Sequence, residues 1–475
     1  MIRPHESSPL LPLRDRKTVD RRAELVALLS LAAHVVATTT LEFLPGFTST
    51  ILAGHLQSPR TKELVDAATL STMFTNMSAY SVGLGLSSAM DTLASQAFGA
   101  GRLDRIGLHF QSGLFVLAGC LPPLLVANFY TASVLIWLRQ DPTVAALAQD
   151  FSRYNLIGIP GLLLYELCRK ALQAQGVVVP VIVVSLIGNA IHLGAGYTLA
   201  YHTSWGFLGI AISRSVANLA MLGLIGLYFV ARPASLSRWW RGWQPGVAIR
   251  HVPLFLRLGV PGMLMMVMEW WAFEILSLMA GVLPHRVVAI SAQAVQLNVV
   301  SMVYMLLLGF SVATNIRVGN HLGANAPIKA RCAATLGAGS VALLAVFLGS
   351  TIALGHSVIP PFFVNDPTTV ASASRVLLAW APFEIAEGLN CVLQGIFRGA
   401  GEQAIAARTN LWSFYGVALP SAFLLGCSLG WGVEGLWVGY GIGISTSALT
   451  LGATMKRWNW LALASAAQQR TAPAT

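Results

Sequence analysis

Apolar residues fall in blocks of roughly 20 or more, split by short polar stretches, from one end of the chain to the other. The blocks are rich in Leu, Ala, Val and Gly and do not alternate in polarity as the strands of a membrane β-barrel would. They begin near Leu25, Val65, Ile106, Phe151, Val178, Leu208, Leu258, Val287, Cys332, Ser372, Leu411 and Gly435. In a bilayer each backbone polar group must find its partner within its own helix. The pattern therefore predicts an all-α polytopic membrane protein of twelve transmembrane helices.

The segment 232–257 carries five arginines and no acid, and it divides six blocks from six. The expected organisation is a tail at 1–24, a six-helix lobe at 25–231, a basic linker at 232–257, a second six-helix lobe at 258–460 and a tail at 461–475. Phe98-Gly99-Ala100-Gly101 closes the second block and Leu322-Gly323-Ala324-Asn325 the eighth. Gly206-Phe207-Leu208-Gly209 opens the sixth and Gly432-Val433-Glu434-Gly435 the twelfth. The offsets, 224 and 226 residues, are close to half the chain. A parallel repeat with its axis along the membrane normal, two pseudo-symmetric lobes around a central cavity, follows from an even number of spans per half.

Composition sharpens this picture. The chain is 55% hydrophobic and 10% charged, against about 25% charged for a soluble protein. The net charge of +11 is not a nucleic-acid footprint. The basic residues gather in the tail (Arg14, Arg16, Lys17, Arg21, Arg22) and the linker (Arg232, Arg238, Arg241, Arg250, Arg257). That is the distribution of cytosolic segments, so tails and linker are expected in the cytosol, with the N-terminal tail disordered. Cys120, Cys168, Cys332, Cys391 and Cys427 stand singly, as small core residues do, and form no disulfide or zinc pattern.

The chemistry lies in the acids. Glu269 and Glu274 are the only charges in the run 258–283. An ionised carboxylate at membrane depth costs about 2.5–3.5 kcal/mol on insertion scales, so an acid there marks a proton, ion or solute path. The two are about 140° apart around a helix and cannot share a face. Asp91, near the end of the second span, is expected to meet backbone or basic groups.

Five segments in order resemble the multidrug and toxic compound extrusion (MATE) family, its eukaryotic branch in particular. They are Ser88 through Gly101; Pro261 through Glu274, with Met268-Glu269-Trp270-Trp271-Ala272-Phe273-Glu274; Arg317 through Ala324; Phe397 through Gln403; and Gly435-Leu436-Trp437. The resemblance covers about residues 25–458. It implies twelve helices in two lobes that open alternately to each face, and exchange of a proton or sodium ion for an organic solute. It favours Glu269 as the principal carboxylate, with Glu274 also at a family position. Glu387 stands where the family's tenth span carries an acid, and is read as the partner of Glu269. Glu384 is not expected from the family; it either tunes that pair or sits nearer the outer mouth. Asn298 and Tyr304 match polar positions of the eighth span, either bonding to the carboxylates and solute or joining helices. Trp270, Trp271 and Phe273 offer faces to a cation or pack against neighbours. Glu42, in the first span where Gln is common, is either a cavity-facing acid or a neutral stand-in for Gln.

The leading expectation is a secondary antiporter for organic, cationic or xenobiotic solutes, working as a monomer without a cofactor. Protons are the expected coupling ion and sodium the alternative. The expected location is the plasma membrane or an organelle membrane. The competing readings are a lipid-linked precursor flippase of the same superfamily and a membrane-embedded enzyme. No His-Glu-x-x-His, Gly-x-Ser-x-Gly or phosphate-loop motif supports enzyme or ATP-pump chemistry.

Overall fold

Twelve long helical segments, six before the basic linker and six after it, make up the body of the protein. The computed structural model describes residues 20–56 and 58–472, so the expected disorder of the N-terminal tail, with Arg14, Arg16 and Lys17, lies outside the described residues. The segments are α1 (Arg21–Gly54), α2 (61–99), α3 (Leu103–Phe129), α4 (142–174), α5 (Val179–Tyr201), α6 (Gly206–Ala231), α7 (Pro245–Ala280), α8 (Arg286–Gly323), α9 (Pro327–Gly355), α10 (Pro367–Ala400), α11 (Gln403–Ser428) and α12 (Gly432–Lys456). Among the described residues, nine (α1, α3 and α5–α11) are long and apolar enough to cross a membrane. The other three are α2, which passes through a widened turn at Asn76–Tyr80, α4, which tightens at Leu156–Gly158, and the Gly-, Ser- and Thr-rich α12.

The repeat is visible in the backbone. Left-handed residues come in pairs at matching places: Gly101 with Asn325, Gly176 with Gly401, Gly206 with Gly432. Each follows or starts a helix, where a positive φ costs glycine little. α4 and α10 are each broken by a short tight turn beside a proline, Pro160 and Pro382. Proline has no N–H to give the ladder, so it falls where the ladder is interrupted, and the helix resumes at Ile159 and at Glu384.

Two expected boundaries move. α7 begins at Pro245, so part of the segment read as the linker 232–257 is helix. At 36 residues α7 is about 54 Å long, against a hydrocarbon core of about 30 Å. Its first turns, with Arg250 and Arg257, project beyond the apolar layer, and helix need not stop where apolarity does. The remaining link is docked rather than loose. Trp239 is buried against Phe110 and Phe229, and Gln111 grips the backbone at Gly242 and Gln244 (2.9 and 2.7 Å). Most of the segment read as the tail 461–475 is helix as well. A further helix, α13 (Trp460–Thr471), is capped by Asn459 and lies across both lobes. Arg470 donates to Gln96 Oε1 in α2 and to the carbonyl of Ala400 at the end of α10 (3.3 and 3.1 Å), and Arg102 donates to the Thr471 carbonyl (2.5 Å).

The lobes meet at the end that carries the linker and α13, here called the linker end, and also along α1–α8 and α2–α7, where Gly309 lies on Val36 and Gly85 on Met263. Between helices in lipid there is little hydrophobic gain, so close backbone approach at small residues supplies the attraction. A Cβ at Gly99 would collide with the Asn320 carbonyl, one at Gly323 with the backbone of Gln96, and one at Gly319 with Ser95. Hydrogen bonds cross the same seam: Thr92 to the Arg398 carbonyl (2.5 Å), Gln96 to the Gly399 carbonyl (3.0 Å) and Gln403 to Thr92 (2.6 Å). Glu24 of α1 pairs with Arg317 of α8 (2.5 and 2.8 Å) and with His321 (3.1 Å). The linker end is closed.

Candidate functional site

The second lobe holds a buried polar cluster between α7, α8, α10, α11 and α12. Glu269 is 4% exposed. Gln394 Nε2 donates to it at 3.3 Å, and Asn410 Nδ2 in turn reaches Gln394 Oε1 (3.3 Å) and the Met265 carbonyl (3.4 Å). Ser447 closes the chain on Asn390 (2.7 Å) and Asn410 (3.4 Å). Glu387 is 1% exposed, and neither of its oxygens has a hydrogen-bond partner among the described residues. Glu269 and Glu384 are the charged groups close enough to act on it. Tyr304 of α8 lies beside Glu269 and within electrostatic reach of Glu387. Tyr440 of α12 is within electrostatic reach of both acids. So the structure brings Glu269, Glu387 and Tyr304 together.

Three other candidate residues lie apart from this cluster. Asn298 does not join the carboxylates: it is half-buried and its Nδ2 turns back on the Ala294 carbonyl of its own helix (2.9 Å). Glu274 is half-buried on another face of α7 and makes no hydrogen bond among the described residues. Glu42 lies 3.2 Å from Arg169, an ion pair that neither sequence reading included. Of the aromatics, Phe273 packs on Trp437 and Tyr440, while Trp271 is exposed and donates to the Met77 carbonyl of the first lobe (3.4 Å). Glu384 is fully buried and accepts from the Trp380 indole (3.0 Å).

Sequence reasoning missed a charged network in the first lobe. Arg169 binds both oxygens of Glu166 (2.8 and 2.6 Å), and Lys170 binds both oxygens of Asp91 (2.8 Å each) while reaching Glu166 at 3.4 Å. Asp91 thus has the basic partner expected of it. The signal was present as Glu166-Leu167-Cys168-Arg169-Lys170, a spacing of three and four that stacks opposite charges on one helix face inside an apolar span.

Among the described residues the arrangement is a buried cluster of acids with polar neighbours, set beside a seam between two lobes. Comparison with known proteins agrees. The family model described as MatE matches residues 35–198 and 261–424, one stretch in each lobe, 226 residues apart. The chain is 34% identical to multidrug and toxin extrusion protein 2 of Mus musculus over 97% of its own length and 79% of that protein's. It is also 34% identical to multidrug and toxin extrusion protein 1 of the same species, over 92% and 76%. Its fold superposes on the crystal structure of the eukaryotic MATE transporter AtDTX14 with a TM-score of 0.89 at 26% identity, covering 95% of this chain and all of that one. The chain is an integral multi-pass membrane protein and belongs to the multidrug and toxic compound extrusion family of transporters.

Proposed function

We propose that the protein exports organic cations in exchange for protons by alternating access, with Glu269 and Glu387 as the coupling pair. The observation that carries this reading is Glu387, buried in the second lobe with neither oxygen partnered and with Glu269 and Glu384 as its charged neighbours. A carboxylate in that setting is stable only when it takes up a proton or a cation. A sodium site needs several oxygens converging on one point, and the amide and phenol groups around Glu269 suit a proton better. Binding of a cationic solute and protonation then compete for the same negative charge. The five arginines at 232, 238, 241, 250 and 257 support a cytosolic linker end. The closed linker end then corresponds to a state open or opening away from the cytosol. Both lobes come from one chain, which supports a monomer as the working unit.

The test is uptake of a quaternary ammonium solute into proteoliposomes under an imposed pH gradient in sodium-free buffer. Glu269→Gln and Glu387→Gln should each abolish pH-driven accumulation while the protein still inserts and binds detergent normally. Strict dependence on sodium at fixed pH, or normal coupling in both variants, would sink the reading.

A further inference from the structure

The break in α10 at Ala381–Phe383 restarts the helix at Glu384, with Glu387 one turn on. Three residues along a helix return to within about 60° of the starting direction, so the two acids share a face. Glu384 is 0% exposed. Trp380 Nε1 holds one of its oxygens at 3.0 Å; the other has no partner among the described residues, nor has either oxygen of Glu387. A second observation points the same way. The Tyr440 hydroxyl on α12, in a residue 0% exposed, is also unpartnered, and it lies within reach of Glu387. The Asn390 amide N–H, one turn beyond Glu387, is a second buried donor with no acceptor among the described residues.

The titratable groups that face this pair are Glu269 from α7, Tyr304 from α8 and Tyr440 from α12, with Cys391 on α10 itself. Among the described residues no Lys, Arg or His acts on Glu384 or Glu387; Arg398, at the far end of α10, acts on Glu269. Two carboxylates on one buried face with no cation cannot both be ionised. Every charge that appears there must be cancelled by a proton or a cation from outside the protein.

We propose that Glu384 is a second proton-carrying group of the transport cycle, so that each solute leaves in exchange for two protons. One proton is exchanged within the Glu269–Glu387 pair and the other at Glu384. This rests on the proton-antiport reading above. Each Glu384 carboxylic acid releases H⁺ to water when its lobe opens to the linker side, becoming a carboxylate, and takes H⁺ from the opposite side on return. Trp380, whose indole accompanies the acid, is a positioning residue.

The experiment measures coupling thermodynamically, in proteoliposomes with the membrane potential clamped at zero. A quaternary ammonium gradient is set against a pH gradient, and the solute ratio at which net flux vanishes is found. One pH unit corresponds to a factor of about 10 per proton. The wild-type ratio should therefore be about 100-fold per pH unit and that of Glu384→Gln about 10-fold, with Glu384→Asp restoring the wild-type value. A wild-type ratio of about 10-fold, which needs no variant to fold, overturns the proposal and leaves single-proton antiport standing. A ratio unchanged in Glu384→Gln overturns it as well. Absence of any pH-driven flux in the wild type instead removes the antiport reading itself, and this proposal with it.

Discussion

Replacing Lys170 by methionine isolates the charge network of the first lobe. Lys170 and Asp91 are each only 10% exposed, and the ammonium sits 2.8 Å from both carboxylate oxygens. At an effective dielectric of ~20 a unit pair at that distance attracts by about 6 kcal/mol, most of which offsets the cost of taking both charges out of water. Without the lysine that cost stays and the attraction goes. Three acids (Asp91, Glu166, Glu42) then face the single guanidinium of Arg169, which Glu166 already occupies with both oxygens. Removing one partner of a buried pair costs roughly 3–5 kcal/mol. For a unit of the size of this lobe, each kcal/mol moves the melting midpoint by about 2–4 °C. Lys170→Met should therefore lower the unfolding temperature of the detergent-solubilised protein by about 6–20 °C at a fixed scan rate. The double variant Asp91→Asn/Lys170→Met removes both charges and should regain at least half of that loss. A single-variant shift below about 2 °C, or a double variant as unstable as the single, would refute the assignment of a buried, mutually dependent pair.

Glu42→Gln should cost no more than about 1 kcal/mol, because Glu42 is 29% exposed in its side chain and Arg169 keeps Glu166; a loss as large as that of Lys170→Met would contradict this. Gly99→Ala drives a methyl group into the Asn320 carbonyl, so it should keep the linker end from closing. Transport should then fall about tenfold or more, the effect of ~1.4 kcal/mol against the closed state, and a cysteine placed at Thr92 should become reactive to water-soluble thiol reagents; an unchanged rate with an unreactive Thr92→Cys would count against the seam. Cysteines at Ser58 and Ser235 should label from opposite faces of the membrane, since the segments they sit in lie at opposite ends of the lobe; labelling from one face would break the two-times-six arrangement. Asp366, which caps α10 outside the apolar layer, has its carboxyl held at about 2 by hydrogen bonds from Thr368 and Thr369. Its pKa is depressed in the fold, so the cap's stabilisation is full above the ordinary carboxylate range and fades only as pH falls through about 2. At pH 5 the Thr369 amide should exchange faster with solvent in Asp366→Ala than in the wild type, and equal rates would rule out the cap.

Much of the architecture is legible in the sequence because lipid imposes its own length scale on apolar runs. The acids at Glu269 and Glu387 are legible for the same reason: a carboxylate is conspicuous where its burial is expensive. What the sequence does not carry is distance. Glu42 looked unpaired because Arg169 lies 127 positions away, and only the packing of α1 on α4 joins them. Asn298 looked like a ligand because its residue type fits; whether it reaches across or bonds back to Ala294 depends on a rotamer. The start of α7 was misjudged since arginines end an apolar run without ending a helix. α13 escaped because twelve residues are too few to register as an apolar block of membrane length, and its purpose appears only in the oxygens that Arg470 finds on two lobes.

The glycine seam at the linker end has a mechanical consequence. Where Gly99 lies on Asn320, Gly319 on Ser95 and Gly323 on Gln96, the lobes touch as smooth plates rather than as meshed gears. At the three glycines the backbone itself makes the contact, and the long side chains that cross beside them, Gln96 and Gln403, hold the other plate by single hydrogen bonds that are released when the plates part. The resistance is then adhesion over an area, given up along with a small set of hydrogen bonds, rather than the friction of many interlocking teeth. A surface of that kind can be worn through many openings without losing its fit, and a single added methyl group acts on it as grit does on a bearing.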